Sequence, residues 1–307
     1  MSEQDMGYLE TKFMVDPYMN WLVGEGVPIH TGTVIDTLTA MLQPWPRFGM
    51  KGAACHVDGR CDFLTAFVFE LDPGKSSAET RHVYEQVYYV LAGQGRTEIT
   101  LSDGRKTSIE WHEKKLFAVP INAQTRHISI SPSPTRLIAF SNIRYLLGLY
   151  RNEKFLFENE APMHARQQKA LEAGLLSDPM SVLPGTEELN PIALGDMSVG
   201  VDVICVNGHS KMTARRQMQG RHLIGMDGHA QTISFTSEED KGTKISWRHG
   251  LLAGLRGMTF HRHMNDANSP ARMIGIEMGS ISSPVFRSRR HVYGDKNVYA
   301  SGAALIN

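Results

Sequence analysis

The sequence predicts an all-β protein made of two tandem β-sandwich or barrel units. Three observations support this fold class. An internal repeat runs through much of the chain, the repeated segments have the composition of short strands bounded by turns, and helical patterns are confined to flanking and connecting segments. The chain has 307 residues, which is enough for two domains of ordinary size.

The repeat consists of like residues that recur at a nearly constant spacing. Gly93 and Gly228 are 135 positions apart, whereas Trp111 with Trp247 and His127 with His263 are 136 apart. The segment SPTRLIAF (Ser133–Phe140) matches SPARMIGI (Ser269–Ile276) at the same offset of 136. One inserted residue between Gly228 and Trp247 explains the change of offset. Several matches at one spacing indicate a duplication, and equivalent tryptophans are expected to pack in the two cores.

Each repeated unit has strand-like segments. Cys61–Leu71 and Gln86–Leu101 are rich in β-branched and aromatic residues and are bounded by DPG and SDG turns, and Ser234–Gly250 has a polar turn between two strand-like runs. Helix formers are concentrated in Pro162–Leu176, between the units, and Phe13–Val23 is a second expected helix. We therefore expect an N-terminal arm (1–44), a first barrel (45–150), a helical connector (151–184), a second barrel (185–285) and a C-terminal tail (286–307).

Composition excludes several function classes. Lys and Arg number 32 and Asp and Glu also number 32, so the formal net charge is zero and gives no general attraction to nucleic acid or anionic membrane. The sequence has no uninterrupted apolar stretch of transmembrane length, and it begins without the basic-then-apolar pattern of a secretory signal. The three cysteines (Cys55, Cys61 and Cys205) are not spaced as a zinc site, which indicates free thiols in a cytoplasmic protein.

The N-terminal arm carries apolar side chains that need burial. Within residues 5–27 these are Tyr8, Phe13, Tyr18, Trp21 and Leu22. They are expected either to cover a barrel of the same chain or to pair with a partner chain. We therefore expect a homo-oligomer, in the simplest case a dimer.

Three segments resemble the sequence motifs of a known superfamily. Pro73–Gly95 follows the outline G-x5-H-x-H-x3,4-E-x6-G, and Phe117–Ser129 follows G-x5-P-x-G-x2-H-x3-N. In the second unit, FHRHMN (Phe260–Asn265) is similar to the end of the second outline, with Asn265 on its asparagine. These motifs resemble those of the cupin superfamily in its duplicated, bicupin form. The resemblance covers about two thirds of the chain and implies two tandem jelly-roll β-barrels.

The resemblance also implies a metal site, from which the first unit departs. Cupin barrels usually hold Fe, Mn, Ni, Cu or Zn through three histidines and one glutamate. The four ligand positions here fall on Thr80, His82, Gln86 and Thr125, and His127 shares a strand face with Thr125. His82, Gln86 and His127 are therefore the candidate metal ligands. Two imidazoles and a neutral amide make a weak divalent site, so either one divalent transition metal or none is expected.

The second unit has a different set at the ligand positions: Arg215, Gln217, Arg221 and His261. A guanidinium repels a divalent metal and can clamp a carboxylate, which indicates an acid-binding interior unless these arginines lie on the solvated outer face. The candidate substrate-binding residues are Arg215, Gln217, Arg221 and, from the first unit, Thr125. The candidate acid–base residues are His261, His263 and His222, unless they are polar core residues.

The resemblance implies an enzyme that acts on a small organic molecule bearing a carboxylate or hydroxyl. A metal-dependent dioxygenase reaction is the first expectation. The second is a metal-free isomerase, lyase or cyclase that uses histidine and arginine, and the third is a binding barrel without catalysis. The fold by itself does not choose among them.

Overall fold

The structure is a computed structural model that describes residues 16–58, 63–183, 190–217, 220–237 and 241–278. The arm contains helix α1 (Pro17–Glu25) and strands β1 (Ile29–Gly32), β2 (Val34–Asp36) and β3 (Gln43–Trp45). The first barrel contains β4 (Met50–Val57), β5 (Thr65–Leu71), β6 (Gln86–Ala92), β7 (Gln94–Thr100), β8 (Lys106–His112), β9 (Leu116–Ala118), β10 (Gln124–Ser129) and β11 (Thr135–Ser141).

Helix α2 (Ile143–Tyr150) ends the segment predicted as the first barrel. The connector contains helices α3 (Glu153–Phe157) and α4 (His164–Ala173), strand β12 (Leu176–Ser177) and a short 3-10 helix (Pro179–Ser181). The second barrel contains β13 (Asn190–Ile192), β14 (Val199–Val206), β15 (Ser210–Lys211), β16 (Arg215–Gln217), β17 (Arg221–Asp227), β18 (Ala230–Phe235), β19 (Thr243–Trp247), β20 (Leu251–Leu255), β21 (Thr259–Asn265) and β22 (Ala271–Met278).

Each barrel pairs a larger sheet with a smaller one. In the first barrel the strand order is β1-β4-β5-β11-β6-β9-β12, faced by β10-β7-β8. In the second it is β13-β14-β22-β17-β20-β2, faced by β15-β21-β18-β19. The chain is therefore all-β with two tandem jelly-roll units, as the sequence predicted.

Strand register confirms the duplication. Thr135 of β11 pairs with Leu71, and Ala271 of β22, which is 136 positions later, pairs with Val206. The turn that follows β6 and β17 has a glycine at positive φ in both units, 83° at Gly93 and 69° at Gly228. A Cβ at Gly93 would lie 2.7 Å from Thr135 Oγ1, so only glycine fits this close approach of two strands.

The two barrels share an apolar layer. Along β6, Tyr88 faces the interior of its own barrel, whereas Val87 and Tyr89 face the second unit and join a core cluster with Ile224 and Ile276. This alternation explains why β6 is apolar on both faces. Each larger sheet thus separates a barrel interior from the layer between the barrels.

The N-terminal arm joins both barrels. Its strand β1 pairs with β4 of the first barrel, and its strand β2 pairs with β20 of the second. No local pattern predicts the second pairing, because its partner strand lies more than 200 positions away.

Helix α1 buries the arm's aromatic side chains against the first barrel of the same chain. Asp16 caps the helix by accepting hydrogen bonds from the backbone N–H groups of Tyr18 (3.0 Å) and Met19 (3.2 Å). Tyr18, Trp21 and Leu22 are buried in the core of that barrel. The other two predicted arm residues, Tyr8 and Phe13, lie outside the described residues, and the expected oligomer stays a prediction.

The connector closes one end of the first barrel. Leu156 of α3 is fully buried, and its carbonyl accepts a hydrogen bond from the backbone N–H of Val83 (3.0 Å). Farther along, the Asn122 side chain donates to the carbonyl of Ala161 (2.8 Å). The strands that carry the first-barrel motif residues are therefore capped by the helical segment that the sequence placed between the units.

Two expectations from composition concern membranes and thiols. In the described ranges, no helix has the length and apolarity needed to cross a bilayer. Cys55 and Cys205 are buried free thiols, and Cys61 lies outside the described residues.

Neighbouring positions on α1 test the packing of the arm. Leu22→Ala should lower the free energy of unfolding by about 2–5 kcal/mol, because it removes a fully buried side chain from the first barrel's core. Val23 is 67% exposed, so Val23→Ala should change the free energy of unfolding by less than about 0.5 kcal/mol. Urea unfolding of both variants makes the comparison. Equal effects would contradict the placement of α1.

Candidate functional site

A histidine inside the first barrel is held by a three-residue chain of hydrogen bonds. The indole N–H of Trp111 donates to Thr97 Oγ1 (2.9 Å), and the same oxygen lies 2.8 Å from His127 Nδ1. All three side chains are buried, and they come from neighbouring strands β8, β7 and β10. The tryptophan packs in the core, as the sequence predicted.

The second barrel repeats this chain of hydrogen bonds. The indole N–H of Trp247 donates to Thr232 Oγ1 (2.6 Å), which lies 2.7 Å from His263 Nδ1. The three residues are the duplicated counterparts of Trp111, Thr97 and His127. We call each set the Trp–Thr–His relay. The relay belongs to both barrels and does not by itself distinguish a functional one.

The two interiors differ in what covers the relay histidine. In the first barrel the rings of Tyr88 and Phe117 stack 4.7 Å apart and lie 4.8 Å and 5.9 Å from the His127 ring. Tyr88 pairs with Phe117 across β6 and β9, and the equivalent pair across β17 and β20 is Leu223 with Ala253. Two aromatic rings in the first barrel thus correspond to a leucine and an alanine in the second.

A second pair of interior positions also has no aromatic ring in the second barrel. Ala139 pairs with Phe67 in the first barrel, and the equivalent pair in the second is Gly275 with Asp202. At these positions the first interior has three aromatic rings, whereas the second has smaller side chains and one aspartate. This contrast within one chain identifies the second barrel as the candidate functional site.

A buried ion pair spans the inner face of the larger sheet in the second barrel. Arg221 of β17 is only 1% exposed, and its guanidinium binds Asp202 of β14. Strand β22 runs between these strands and has Gly275 at the crossing, where a Cβ would overlap the guanidinium. Arg221 therefore lies inside and not on the solvated face. Burial raises the pKa of Asp202, and the charge of Arg221 opposes that shift.

His261 and His263 meet inside the second barrel. Both are buried on β21, and their ring centroids are 5.2 Å apart. Burial, together with the positive charges of Arg221 and Arg215, lowers the pKa of His261 to about 4. The same causes, together with His261, hold the pKa of His263 well below its usual value. Both imidazoles are therefore neutral near pH 7.

Not all the predicted residues reach this site. Arg215 pairs with His261 across β16 and β21, so its half-buried side chain lies on the same face as that histidine. His222 faces the other way, into the layer between the barrels, with its ring 5.8 Å from Phe140. Its position next to Arg221 on a strand requires opposite faces, so the structure does not bring it to His261 and His263. The side chain of Gln217 lies outside the described residues.

The other predicted residues lie in the first barrel. Thr125 is buried, and its hydroxyl is 3.4 Å from that of Thr80. It therefore does not join the three substrate-binding candidates of the second barrel. A groove of about 760 Å³ opens beside Thr80, lined by Glu79, Thr80, Arg81, Gln124, Lys154, Phe157, Glu158 and Glu160, and its charges of both signs are mostly exposed.

The candidate metal ligands are close together, but most of their donor atoms are already used. His82 Nδ1 is 2.8 Å from the carbonyl of Tyr84, His127 Nδ1 is bound to Thr97, and Gln86 Oε1 accepts a hydrogen bond from the Tyr88 hydroxyl (2.6 Å). Burial lowers the pKa of His82 to about 4 and that of His127 to about 3. In the described part of the chain, no three His, Cys, Asp or Glu side chains converge as a metal-binding group. These residues do not fit a firmly held divalent metal.

The sequence reasoning missed two contributors to the second barrel. Asp202 is a single acid in the otherwise apolar run VGVDVICV (Val199–Val206), and a buried charge in a strand is a usable signal. Thr232 lies 135 positions after Thr97, which is the offset found early in the repeat. Threonine is common in strands, so this match carries little information without coordinates.

Comparisons with solved structures agree with the fold. The oxalate decarboxylase of Lactobacillus farciminis, solved as a formate complex, has a TM-score of 0.56 and 11% identity, over 88% of this chain and 96% of that one. A mutant of the Bacillus subtilis oxalate decarboxylase has a TM-score of 0.55 and 11% identity, over 87% and 85%. Vicilin from hazelnut (Corylus avellana) has a TM-score of 0.54 and 8% identity, over 80% and 85%.

At these identities the likeness concerns the fold, which is that of bicupin proteins. No family model matches the sequence, and no curated protein matches it significantly.

The neutral interior histidines make stability depend on pH. An unfolded histidine titrates near 6.5, whereas the pKa values of His82, His127 and His261 are lowered to about 4, 3 and 4. Between these values the unfolded chain binds more protons. The free energy of unfolding should therefore fall as pH decreases from 6.5, by up to about 1.4 kcal/mol per unit for each histidine. Urea unfolding at pH 7 and pH 5 measures this slope.

A matched pair of variants assigns the slope. His127→Gln should reduce the slope of the free energy of unfolding against pH by the contribution of one histidine. His112→Gln, at an exposed position, should leave that slope unchanged. Stability that does not vary over this range would show that the histidines are not held neutral.

Gly275 provides a second test. Gly275→Ala should destabilise the protein by about 1–3 kcal/mol, because the new methyl group displaces Arg221 from Asp202. Gly148 in α2 has open space around its position, so Gly148→Ala should instead stabilise by about 0.5–1 kcal/mol. Chemical denaturation reports both signs. A gain in stability for Gly275→Ala would mean that Arg221 does not pass over Gly275 to reach Asp202.

Proposed function

We propose that the second barrel binds a small organic molecule bearing a carboxylate or hydroxyl group, and that the protein is a bicupin enzyme that works by histidine and arginine acid–base chemistry. One observation carries this proposal. Arg221 Nε, Asp202 Oδ2 and His261 Nδ1 are buried, and none has a hydrogen-bond partner among the described residues. Leaving such atoms unsatisfied costs about 1–3 kcal/mol each, so they favour a polar ligand.

The three atoms complement one class of ligand. The Nε–H of Arg221 can donate only, so it suits a carboxylate or alkoxide oxygen. Asp202 Oδ2 as a carboxylate accepts only, and suits a hydroxyl proton. The charge of Arg221 is already balanced by Asp202, so the remaining positive charge comes from Arg215 beside His261. A singly charged acid that also carries a hydroxyl satisfies all of these groups.

His261 is the candidate base. A neutral imidazole can accept the proton of a bound hydroxyl at Nδ1, while the Arg221 N–H stabilises the oxyanion that forms. Without a ligand, burial and two arginines weaken this base. An anion bound between them offsets their charge and raises the pKa of His261, so the ligand itself makes the base stronger.

The chemistry of the donor atoms argues against the expected dioxygenase reaction. The Bacillus subtilis oxalate decarboxylase is described with Mn(II) centres. In this chain the candidates His82, Gln86 and His127 offer only two imidazole nitrogens beyond their existing hydrogen bonds. This donor set does not support a metal-dependent step. A lyase or isomerase reaction on a hydroxy acid or related carboxylate is the better supported class.

Binding of two named probes tests the site. Lactate, a singly charged hydroxy acid, should raise the melting temperature and bind with one site per chain in calorimetry, whereas oxalate, which has two carboxylates and no hydroxyl, should bind more weakly. His261→Gln should weaken binding at least about tenfold, because a buried hydrogen-bond partner of the ligand is lost. His82→Gln, in the other barrel, should leave the affinity unchanged. Equal loss in both variants, or no binding of either probe, would contradict the proposal.

Turnover separates the enzyme from a binding barrel. Incubation with lactate and related hydroxy acids, followed by proton NMR, should show conversion that His261→Gln abolishes. Stable binding without conversion of any tested acid would favour a non-catalytic barrel.

Metal content is a separate test. The purified protein should hold well under one equivalent of any transition metal per chain, and a chelator should leave lactate binding unchanged. A stoichiometric metal whose removal abolishes binding would restore the metal-dependent alternative.

A further inference from the structure

The protonation of the relay in the second barrel follows from what each group can donate. The indole N–H of Trp247 is a donor only, and it is directed at Thr232 Oγ1. That oxygen is also bonded to His263 Nδ1, and the threonine has one proton of its own. Either the threonine donates this proton to Nδ1, or Nδ1–H donates to the threonine and the hydroxyl proton needs another acceptor.

The surroundings of Thr232 select the first arrangement. The side chain is fully buried, and within the described part of the chain its oxygen has hydrogen bonds only to Trp247 and His263. Donation to Nδ1 uses the hydroxyl proton, whereas the alternative leaves it buried without an acceptor, at a cost of about 1–3 kcal/mol. The ring proton of His263 then lies on Nε2.

We propose that Thr232 fixes His263 as the Nε2–H tautomer, so that His263 presents a permanent hydrogen-bond donor to an oxygen of the ligand in the second barrel. This inference rests on the proposed function. Thr232 is a positioning residue, because it acts through the imidazole. His263 then has a different role from His261: one donates to the ligand, and the other accepts a proton from it.

Burial and the nearby arginines support this role. They hold the pKa of His263 well below its usual value, so the ring carries one proton near pH 7 and its position is decided by the relay. A neutral imidazole that donates from Nε2 stabilises developing negative charge on a ligand oxygen without giving up its proton. A protonated Nε2 also cannot ligate a metal.

The first barrel has the same relay in a closed form. There the relay predicts the same Nε2–H tautomer for His127, but the Tyr88 and Phe117 rings lie against the imidazole. In the second barrel Leu223 and Ala253 replace those rings. The first barrel is therefore an internal control, in which the same relay lies against aromatic rings.

The tautomer can be measured without a ligand. In protein labelled with 15N at histidine, two-bond correlation spectra separate the two tautomers, and His263→Gln and His127→Gln assign the signals. We expect Nε2–H for both relay histidines. A proton on Nδ1 of His263 would overturn the inference, even if lactate binds as proposed.

Removal of the threonine hydroxyl connects the tautomer to binding. Thr232→Val should shift His263 to a mixture of tautomers and weaken lactate binding about tenfold, which corresponds to about 1.4 kcal/mol. Thr232→Ser keeps the hydroxyl and should retain both the tautomer and the affinity. Thr97→Val should change only the His127 signal and leave lactate affinity unchanged.

The outcomes distinguish a failure of the proposed role of Thr232 from a failure of the proposed function. Unchanged lactate affinity in a folded Thr232→Val protein would overturn the role of the relay while leaving the site intact. If Thr232→Val does not fold, loss of affinity in Thr232→Ser despite a retained hydroxyl would overturn it instead. If neither lactate nor oxalate binds the wild-type protein, the proposed function fails, and the NMR measurement still decides the tautomer.

Discussion

A histidine enclosed by a β-barrel needs a hydrogen-bond partner from a neighbouring strand, and the Trp–Thr–His relay meets this need in both barrels. Each relay joins three strands of the smaller sheet through one threonine oxygen. The relay orients the imidazole toward the interior. The chemistry open to each histidine therefore depends on the side chains that face its ring. Aromatic side chains stand there in the first barrel, and small or charged side chains stand there in the second.

This difference supports the proposal that the first barrel is the structural half of the molecule and the second barrel is the functional half. The first barrel has a ring-filled interior, receives the aromatic side chains of the arm and is capped by the connector. The second has a buried ion pair between Arg221 and Asp202. Buried polar atoms without partners among the described residues occur in both barrels, for example Gln86 Nε2 in the first and His261 Nδ1 in the second. Burying such groups lowers stability, whereas the shared apolar layer between the barrels adds hydrophobic burial that favours folding. The arm reinforces this arrangement because its strands β1 and β2 pair with different barrels.

The sequence was sufficient for the fold because the repeat relates two whole barrels, and a duplication of strand-like segments leaves few architectures. It was also sufficient to place His261 and His263 on one strand face, since residues at alternate strand positions share a face, but it left open whether Arg221 lies inside or on the outer face. The same rule argues against His222, which follows Arg221 directly and must face the opposite side. Asp202 was detectable as a lone acid in an apolar strand. The pairing of β2 with β20 was not, because a contact between distant strands leaves no local pattern.

Whether the second barrel is the binding chamber can be measured most directly by solving the crystal structure of the protein grown with saturating lactate. The account predicts density for the acid between Arg221, His261 and His263, with the carboxylate toward the arginine, and an unchanged stack of Tyr88 on Phe117. Lactate inside the first barrel, or an empty second barrel at saturation, would contradict it.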